Sequence, residues 1–150
     1  MNETDLAAEM RNRAGENFRS GFNCAEALFG AFRELAAPGM EPEVVRMFTG
    51  FGGGLGHAGC MCGALTGSVA VLGLLAGRDN PSGDRENCYS LARNFHDRFE
   101  QKFEATCCRA LNPHPFDTKD HLRHCLKITG NTAKLLAEYL KEKDLLPPGK

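Results

Sequence analysis

Apolar residues recur at helical spacing along most of the chain and predict a series of amphipathic helices. The first covers residues 4–19 and ends at Ser20-Gly21. The second stops before Pro38, and a short third helix is predicted over 42–47 because proline suits the first helical position. The apolar face of the second helix consists of Phe22, Ala25, Leu28, Phe29, Phe32 and Leu35.

The second half of the chain continues this pattern after a glycine-rich break. Six glycines fall between residues 50 and 59 and predict a loop. Residues 60–77 carry no charge and are apolar all round the helical wheel, which is typical of a buried helix. A long fifth helix then carries the stripe Cys88, Ala92, Phe95, Phe99 and Phe103. The last begins near Asp117-Thr118, with the stripe Leu122, Cys125, Leu126, Thr129, Ala133, Leu136 and Leu140.

These patterns predict an all-α fold, because no segment alternates with period two for long enough to indicate a strand. We expect the 150 residues to form a single-domain orthogonal helical bundle of about five to six helices around a buried central helix. A membrane span over 58–77 reaches the length required, about 20 residues. Five glycines and two cysteines in that window argue against it, so no membrane insertion is expected.

Charge and composition narrow the function classes. The chain has 18 Lys and Arg against 19 Asp and Glu and is 42% hydrophobic, which excludes a disordered chain and a nucleic-acid-binding face. The first 13 residues lack the apolar run of a secretory signal, so a cytoplasmic location is expected. Seven cysteines in such a protein indicate metal binding or redox chemistry more often than structural disulfides.

The most informative local motif is the segment 59–67, in which a glycine-rich loop brings Cys60 and Cys62 to the start of a helix. Unpaired amides and the helix dipole at that position favour a thiolate, and His57 adds to this effect. If Cys60 and Cys62 both lay in a regular helix, their side chains would point about 200° apart and could not share one partner. Cys60 is therefore expected in the loop. The alternative is that these thiols are small buried hydrophobes.

The other cysteines are ambiguous one by one. Cys88 and Cys125 lie on apolar stripes and suit a core, whereas vicinal cysteines such as Cys107 and Cys108 rarely both point inward. No paired zinc-finger or haem-attachment spacing occurs, so a site would need cysteines from different helices. The histidines that share a helix with Cys125 are His121 and His124, of which only His121 shares enough of its face to be tested as a second ligand.

A glycine fingerprint for dinucleotide binding also occurs, in the segment 54–59. It satisfies Gly-x-Gly-x-x-Gly, with Asp79 twenty residues beyond its last glycine. Such a fingerprint requires a preceding strand and a crossover helix that returns to a second strand. The helical pattern instead continues almost to Gly77-Arg78, so these glycines are interpreted as allowing close backbone approach around the cysteines.

The order and spacing of the cysteine motifs resemble the C_GCAxxG_C_C family of redox-active proteins over about residues 20–135. The resemblance rests on Asn23-Cys24-Ala25-Glu26-Ala27, Gly50-Phe51-Gly52-Gly53-Gly54, Cys62-Gly63-Ala64-Leu65-Thr66-Gly67, Cys108-Arg109-Ala110-Leu111 and Cys125. It implies a small, mostly bacterial or archaeal protein, often encoded beside transporter genes. The family cysteines would be Cys24, Cys62, Cys108 and Cys125 here.

This chain departs from that pattern by having three more cysteines, Cys60, Cys88 and Cys107. Cys107 would take the family position if the chain shifted by one residue, although the Arg-x-Leu that follows favours Cys108. Cys60 gives the central motif a second thiol that could act as a resolving partner.

Three hypotheses follow. In the first, Cys62 is the low-pKa attacking thiolate of a thiol redox protein, and Cys24, Cys60 or Cys108 resolves it. In the second, Cys24, Cys62, Cys108 and Cys125 bind zinc or an iron–sulfur cluster without turnover. In the third, the thiols fill the core of a helical adaptor. The redox partner protein is unknown, and a homodimer is left open.

Overall fold

Helices account for nearly all the regular structure of residues 3–146, the part of the chain that the computed structural model describes. Within that range no strand forms, and the only β-type pairing is one antiparallel bridge between Met61 and Cys107. The predicted all-α fold is confirmed. The elements are α1 (Glu3–Arg19), α2 (Cys24–Ala36), a 3-10 helix (Pro42–Phe51), α3 (Gly52–Leu55), α4 (Gly63–Ala76), α5 (Glu86–Phe103), α6 (Cys108–Leu111) and α7 (Lys119–Glu142).

The central helix is α2, which packs against α1, α4 and α7 and buries nine of its 13 residues. Its start is fixed by a capping box. The Asn23 side chain accepts a hydrogen bond from the Glu26 amide at 3.0 Å, and the Glu26 carboxylate accepts one from the Asn23 amide at 2.9 Å. Thr49 donates to the same carboxylate at 2.6 Å. These bonds hold Cys24, the first residue of α2, in a defined place.

The uncharged helix α4 begins at Gly63, three residues later than the uncharged segment itself. Its first half packs closely on α2, where a Cβ added at Gly67 would lie 3.3 Å from the Ala25 carbonyl oxygen. Its second half is less covered than predicted, and Leu74 is 51% exposed. None of the helices in 3–146 combines the length and apolar character that a bilayer span requires.

The glycine-rich segment predicted as a loop contains the short helix α3 and a run of residues in the left-handed backbone conformation. Five successive residues, 53–57, have positive φ, and two of them are Leu55 at 72° and His57 at 66°. This conformation is sterically unfavourable for residues that have a Cβ, but glycine adopts it freely. Backbone bonds close the turn, including Gly59 N–H to Gly53 O and Cys60 N–H to Gly54 O, both at 3.0 Å.

The last helix, α7, runs along α1 and completes the bundle. Its N-cap Thr118 accepts a hydrogen bond from the His121 amide at 3.2 Å. The helix continues without interruption through Gly130, which lies against Arg11 of α1. The Tyr139 hydroxyl donates to the Leu91 carbonyl at 2.8 Å and ties α5 to α7.

Candidate functional site

Four cysteines from separate parts of the chain meet in one region. Cys24 begins α2, Cys62 precedes α4, Cys108 begins α6, and Cys125 lies on α7. Three of them are buried and Cys125 is half-buried. A negative charge on Cys24 raises the pKa of each of the other three thiols, which places all four within electrostatic reach of one another.

Cys24 has the environment of a thiolate. A hydrogen bond from the Cys125 thiol is the largest influence, and it helps lower the pKa of Cys24 from 9.0 to about 7 against the opposing effect of burial. The backbone amides of Gly53, Ala25 and Gly63 also bond to its sulfur. A Cβ at Gly63 would lie only 2.5 Å from this sulfur, so glycine is required for that amide to approach.

Cys62 has the opposite character, although it caps the N-terminus of α4. Burial, followed by the charge on Cys24, raises its pKa to about 12 despite hydrogen bonds from the amides of Ala64 and Leu65. The pKa of Cys125 is also raised, chiefly because its thiol proton is shared with Cys24. Burial raises the pKa of Cys108. The pKa of Cys24 is therefore lower than that of Cys62, whereas the sequence pattern predicts that Cys62 is the low-pKa thiol.

The three additional cysteines lie outside this cluster. Cys60 and Cys107 are exposed on two paired segments, joined by bonds such as Cys108 N–H to Cys60 O at 2.6 Å. Cys60 precedes α4, as expected for a loop position. Of the vicinal pair, Cys108 is the buried member near Cys24. Cys88 is half-buried between α5 and α4, with its sulfur 3.9 Å from the Leu72 carbonyl oxygen.

A cleft of about 500 Å³ opens onto part of the cluster. Cys24 and Cys125 line it, whereas Cys62 and Cys108 do not. The cleft therefore gives access to the hydrogen-bonded pair, of which Cys125 is half-buried and Cys24 is buried. The metal-binding hypothesis brought Cys24 and Cys125 together, whereas the redox hypothesis did not include Cys125 among the resolving thiols.

His121 lies one helical turn before Cys125 and also lines the cleft. Its side chain is buried, and neither ring nitrogen has a hydrogen-bond partner within the described residues. Burial lowers its pKa, so the ring is neutral at pH 7. Phe116 packs edge-on against it at 4.9 Å and stacks on His57 at 4.1 Å.

The neighbouring His124 is engaged elsewhere, because its Nε2 bonds the Leu111 carbonyl at 2.8 Å. It does not line the cleft. The helical spacing of His121 and Cys125 was the signal that singled out His121. His57, which was expected to act on the thiols of segment 59–67, lines the same cleft as Cys24.

The cysteine cluster is wider than a closed zinc site. Tetrahedral Zn–S bonds of about 2.3 Å place the sulfurs about 3.8 Å apart. Within 3–146, His96, Asp97 and Glu100 on α5 are the only group of three or more ligand atoms that lie within 4.8 Å of one another. That group is largely exposed, as acidic surface groups commonly are.

Comparison with known proteins places these cysteines in a family. The model described as "Putative redox-active protein (C_GCAxxG_C_C)" matches residues 22–139, which include all four clustered cysteines. The chain belongs to the C_GCAxxG_C_C family. It is also 25% identical over 145 residues to an Archaeoglobus fulgidus protein described as "Uncharacterized protein", covering 91% of this chain and 96% of that protein. No solved structure matches the chain.

Proposed function

We propose that this protein carries out thiol–disulfide exchange, with Cys24 as the attacking thiolate and Cys125 as the resolving thiol. The observation that carries the proposal is the hydrogen-bonded Cys24–Cys125 pair on the wall of an open cleft. A thiolate with a pKa near the ambient pH combines a large ionised fraction with useful nucleophilicity. Cys24, with a pKa of about 7, meets this requirement.

The exchange has two steps. The Cys24 thiolate attacks one sulfur of an external disulfide, forms a mixed disulfide and expels the other half as a thiolate, which takes a proton from water. Cys125 then loses its proton to solvent and attacks the Cys24 sulfur, which releases the second half. The external disulfide gains two electrons and two protons overall, and the two cysteines lose them as they form a disulfide.

Several features of the site support this assignment of roles. The amides of Gly53, Ala25 and Gly63 stabilise negative charge on Cys24, and Cys125 already contacts the sulfur that it would attack. Cys62 and Cys108 remain protonated thiols, because burial raises the pKa of both. Regeneration of the reduced pair requires a thiol reductant, so we place the protein in the cytoplasm, where such reductants are plentiful.

A trapping experiment tests the proposal. In a Cys60→Ser/Cys107→Ser background, which removes the two exposed thiols, 2-hydroxyethyl disulfide is expected to convert the protein to an internal Cys24–Cys125 disulfide. Adding Cys125→Ala should instead leave a stable mixed disulfide on Cys24, located by peptide mass spectrometry. Adding Cys62→Ala should still allow the internal disulfide. A mixed disulfide that accumulates on Cys62 would refute the assignment.

Iron–sulfur cluster binding is a second candidate function, favoured by the convergence of four thiols from four elements. Four cysteines are the number that such clusters require. Native mass spectrometry of protein purified without oxygen or added metal separates the candidates. A cluster mass that is lost in Cys62→Ala would support binding, whereas a bare mass that loses two hydrogens on oxidation would support exchange.

A further inference from the structure

We propose that the cleft over Cys24 and Cys125 binds a low-molecular-weight disulfide that carries carboxylate groups. The inference rests on the proposed exchange function and specifies its substrate class. It is drawn from the size of the cleft, the charges at its walls and the unpartnered ring of His121.

The dimensions of the site favour a small substrate. The cleft volume of about 500 Å³ lies within the range of about 300–1,000 Å³ found for small-molecule pockets. Cys24 is only 4% exposed, so a reacting sulfur has to enter the cleft to reach it. A disulfide embedded in a flat protein surface cannot do so.

The charged walls favour an anion. Arg19, at the end of α1, and Arg123, on α7, both line the cleft, where Asp117 is the one acidic residue. Arg19 forms no ion pair within residues 3–146, and Arg123 has a single 3.7 Å contact with Asp120. Guanidinium groups bind carboxylates through paired hydrogen bonds, so both side chains are available to a carboxylate of the substrate.

His121 supplies the observation that distinguishes this cleft from a charged surface groove. Its side chain is 6% exposed and lines the cleft, and both ring nitrogens lack a partner in the described part of the chain. Buried polar groups in folded proteins are almost always hydrogen-bonded. A neutral imidazole has one N–H donor, and a substrate carboxylate would accept that hydrogen bond.

Three disulfides that differ mainly in charge test the inference: anionic 3,3′-dithiodipropionate, neutral 2-hydroxyethyl disulfide and cationic cystamine. We expect the anionic probe to oxidise Cys24 at least about tenfold faster than the cationic one at low ionic strength, with the ratio falling as salt is added. The Arg19→Glu/Arg123→Glu variant should reverse the order. The control variant Arg46→Glu/Arg93→Glu changes the net charge by the same amount at exposed positions outside the cleft, and it should preserve the wild-type order of the probes.

The His121 contribution is tested separately. His121→Gln retains an N–H donor and should keep more of the preference for the anionic probe than His121→Phe does. Rates that are equal for the three probes, corrected for their intrinsic reactivity with a free thiol, would overturn the inference and leave the exchange function standing. If none of the probes oxidises Cys24, the proposed function fails and the inference fails with it.

Discussion

Cys24 and Cys62 make an instructive pair, because both are buried at the N-terminus of a helix and yet their pKa values move in opposite directions. Cys24 is the first residue of α2, and Cys62 is the N-cap of α4. The pKa falls to about 7 at Cys24 and rises to about 12 at Cys62. A helix N-terminus therefore does not by itself determine which thiol ionises.

The difference lies in the number and kind of hydrogen-bond donors. Cys24 receives three backbone amides and the Cys125 thiol, which together outweigh the cost of burial. Cys62 receives hydrogen bonds from two amides, which do not outweigh the cost of burial, and the negative charge on Cys24 raises its pKa further. Because a second negative charge in the same cluster is unfavourable, ionisation of one cysteine suppresses ionisation of its neighbours.

The largest expected effect is the loss of rapid alkylation in Cys24→Ser. At pH 7 a thiol with a pKa of about 7 is half ionised, against about 1% for one at 9.0, a ratio of about 50. Lower intrinsic nucleophilicity offsets roughly tenfold of this, which leaves an advantage of about fivefold. Site-resolved iodoacetamide labelling should therefore lose its fast component in Cys24→Ser and retain it in Cys62→Ser and Cys88→Ser. Equal labelling in all variants would contradict the comparison.

The next largest effect is a difference between wild type and Cys24→Ser in how stability depends on pH. The folded state binds fewer protons at Cys24 than the unfolded state between about pH 7 and 9, so its contribution is present above pH 9 and is lost as pH falls through 7. Two pKa units correspond to about 2.7 kcal/mol. Urea unfolding under reducing conditions should show the wild-type free energy of unfolding rising relative to Cys24→Ser over this window. Parallel curves would show that Cys24 is not ionised preferentially in the fold.

A smaller effect is expected from glycine substitutions in α4. Gly63→Ala places a Cβ 2.5 Å from the Cys24 sulfur and should destabilise the protein by about 1–3 kcal/mol while raising the pKa of Cys24. Gly73→Ala is the matched control, since nothing lies within 4 Å of a Cβ there. It should stabilise the helix by about 0.5–1 kcal/mol. Thermal unfolding that moves both variants in the same direction would contradict the packing described.

The smallest expected effect is on the pKa of Cys24 when the Cys125 thiol is removed and the backbone amide donors are kept. Cys125→Ala removes the thiol hydrogen bond that does most to stabilise the Cys24 thiolate, so the pKa of Cys24 should rise. Cys125→Ser retains a hydroxyl donor and should raise it less. Thiolate absorbance measured against pH in a background lacking Cys60 and Cys107 reports the change. An unchanged pKa in Cys125→Ala would show that the amides alone hold the thiolate.

Sequence patterns located the helices well because amphipathic periodicity is a local property. They also identified the four cysteines that meet, through the order of their motifs. They did not predict the left-handed turn at 53–57, where Leu55 and His57 adopt a conformation that glycine neighbours do not forecast. The turn at Gly52–Leu55 was accordingly expected to be plain loop.

The roles within the cluster lay beyond sequence reasoning for a different reason. Placing Cys62 at a helix start was correct, but burial and the charge of a residue 38 positions earlier decide its pKa. Likewise, the contact of Cys125 with Cys24 depends on how α7 packs against α2, which no local spacing encodes. The solvent-facing positions of Cys60 and Cys107 follow from the paired segments around Met61.

Mapping the first disulfide formed tests the central claim most directly. Reduced protein would be exposed to substoichiometric 2-hydroxyethyl disulfide without oxygen, quenched with acid and analysed by non-reducing peptide mass spectrometry. The account predicts that the earliest cross-linked peptide joins Cys24 to Cys125, with Cys62 and Cys108 still reduced. A first cross-link that joins Cys62 to Cys60 or Cys108, with Cys24 and Cys125 still free, would contradict it.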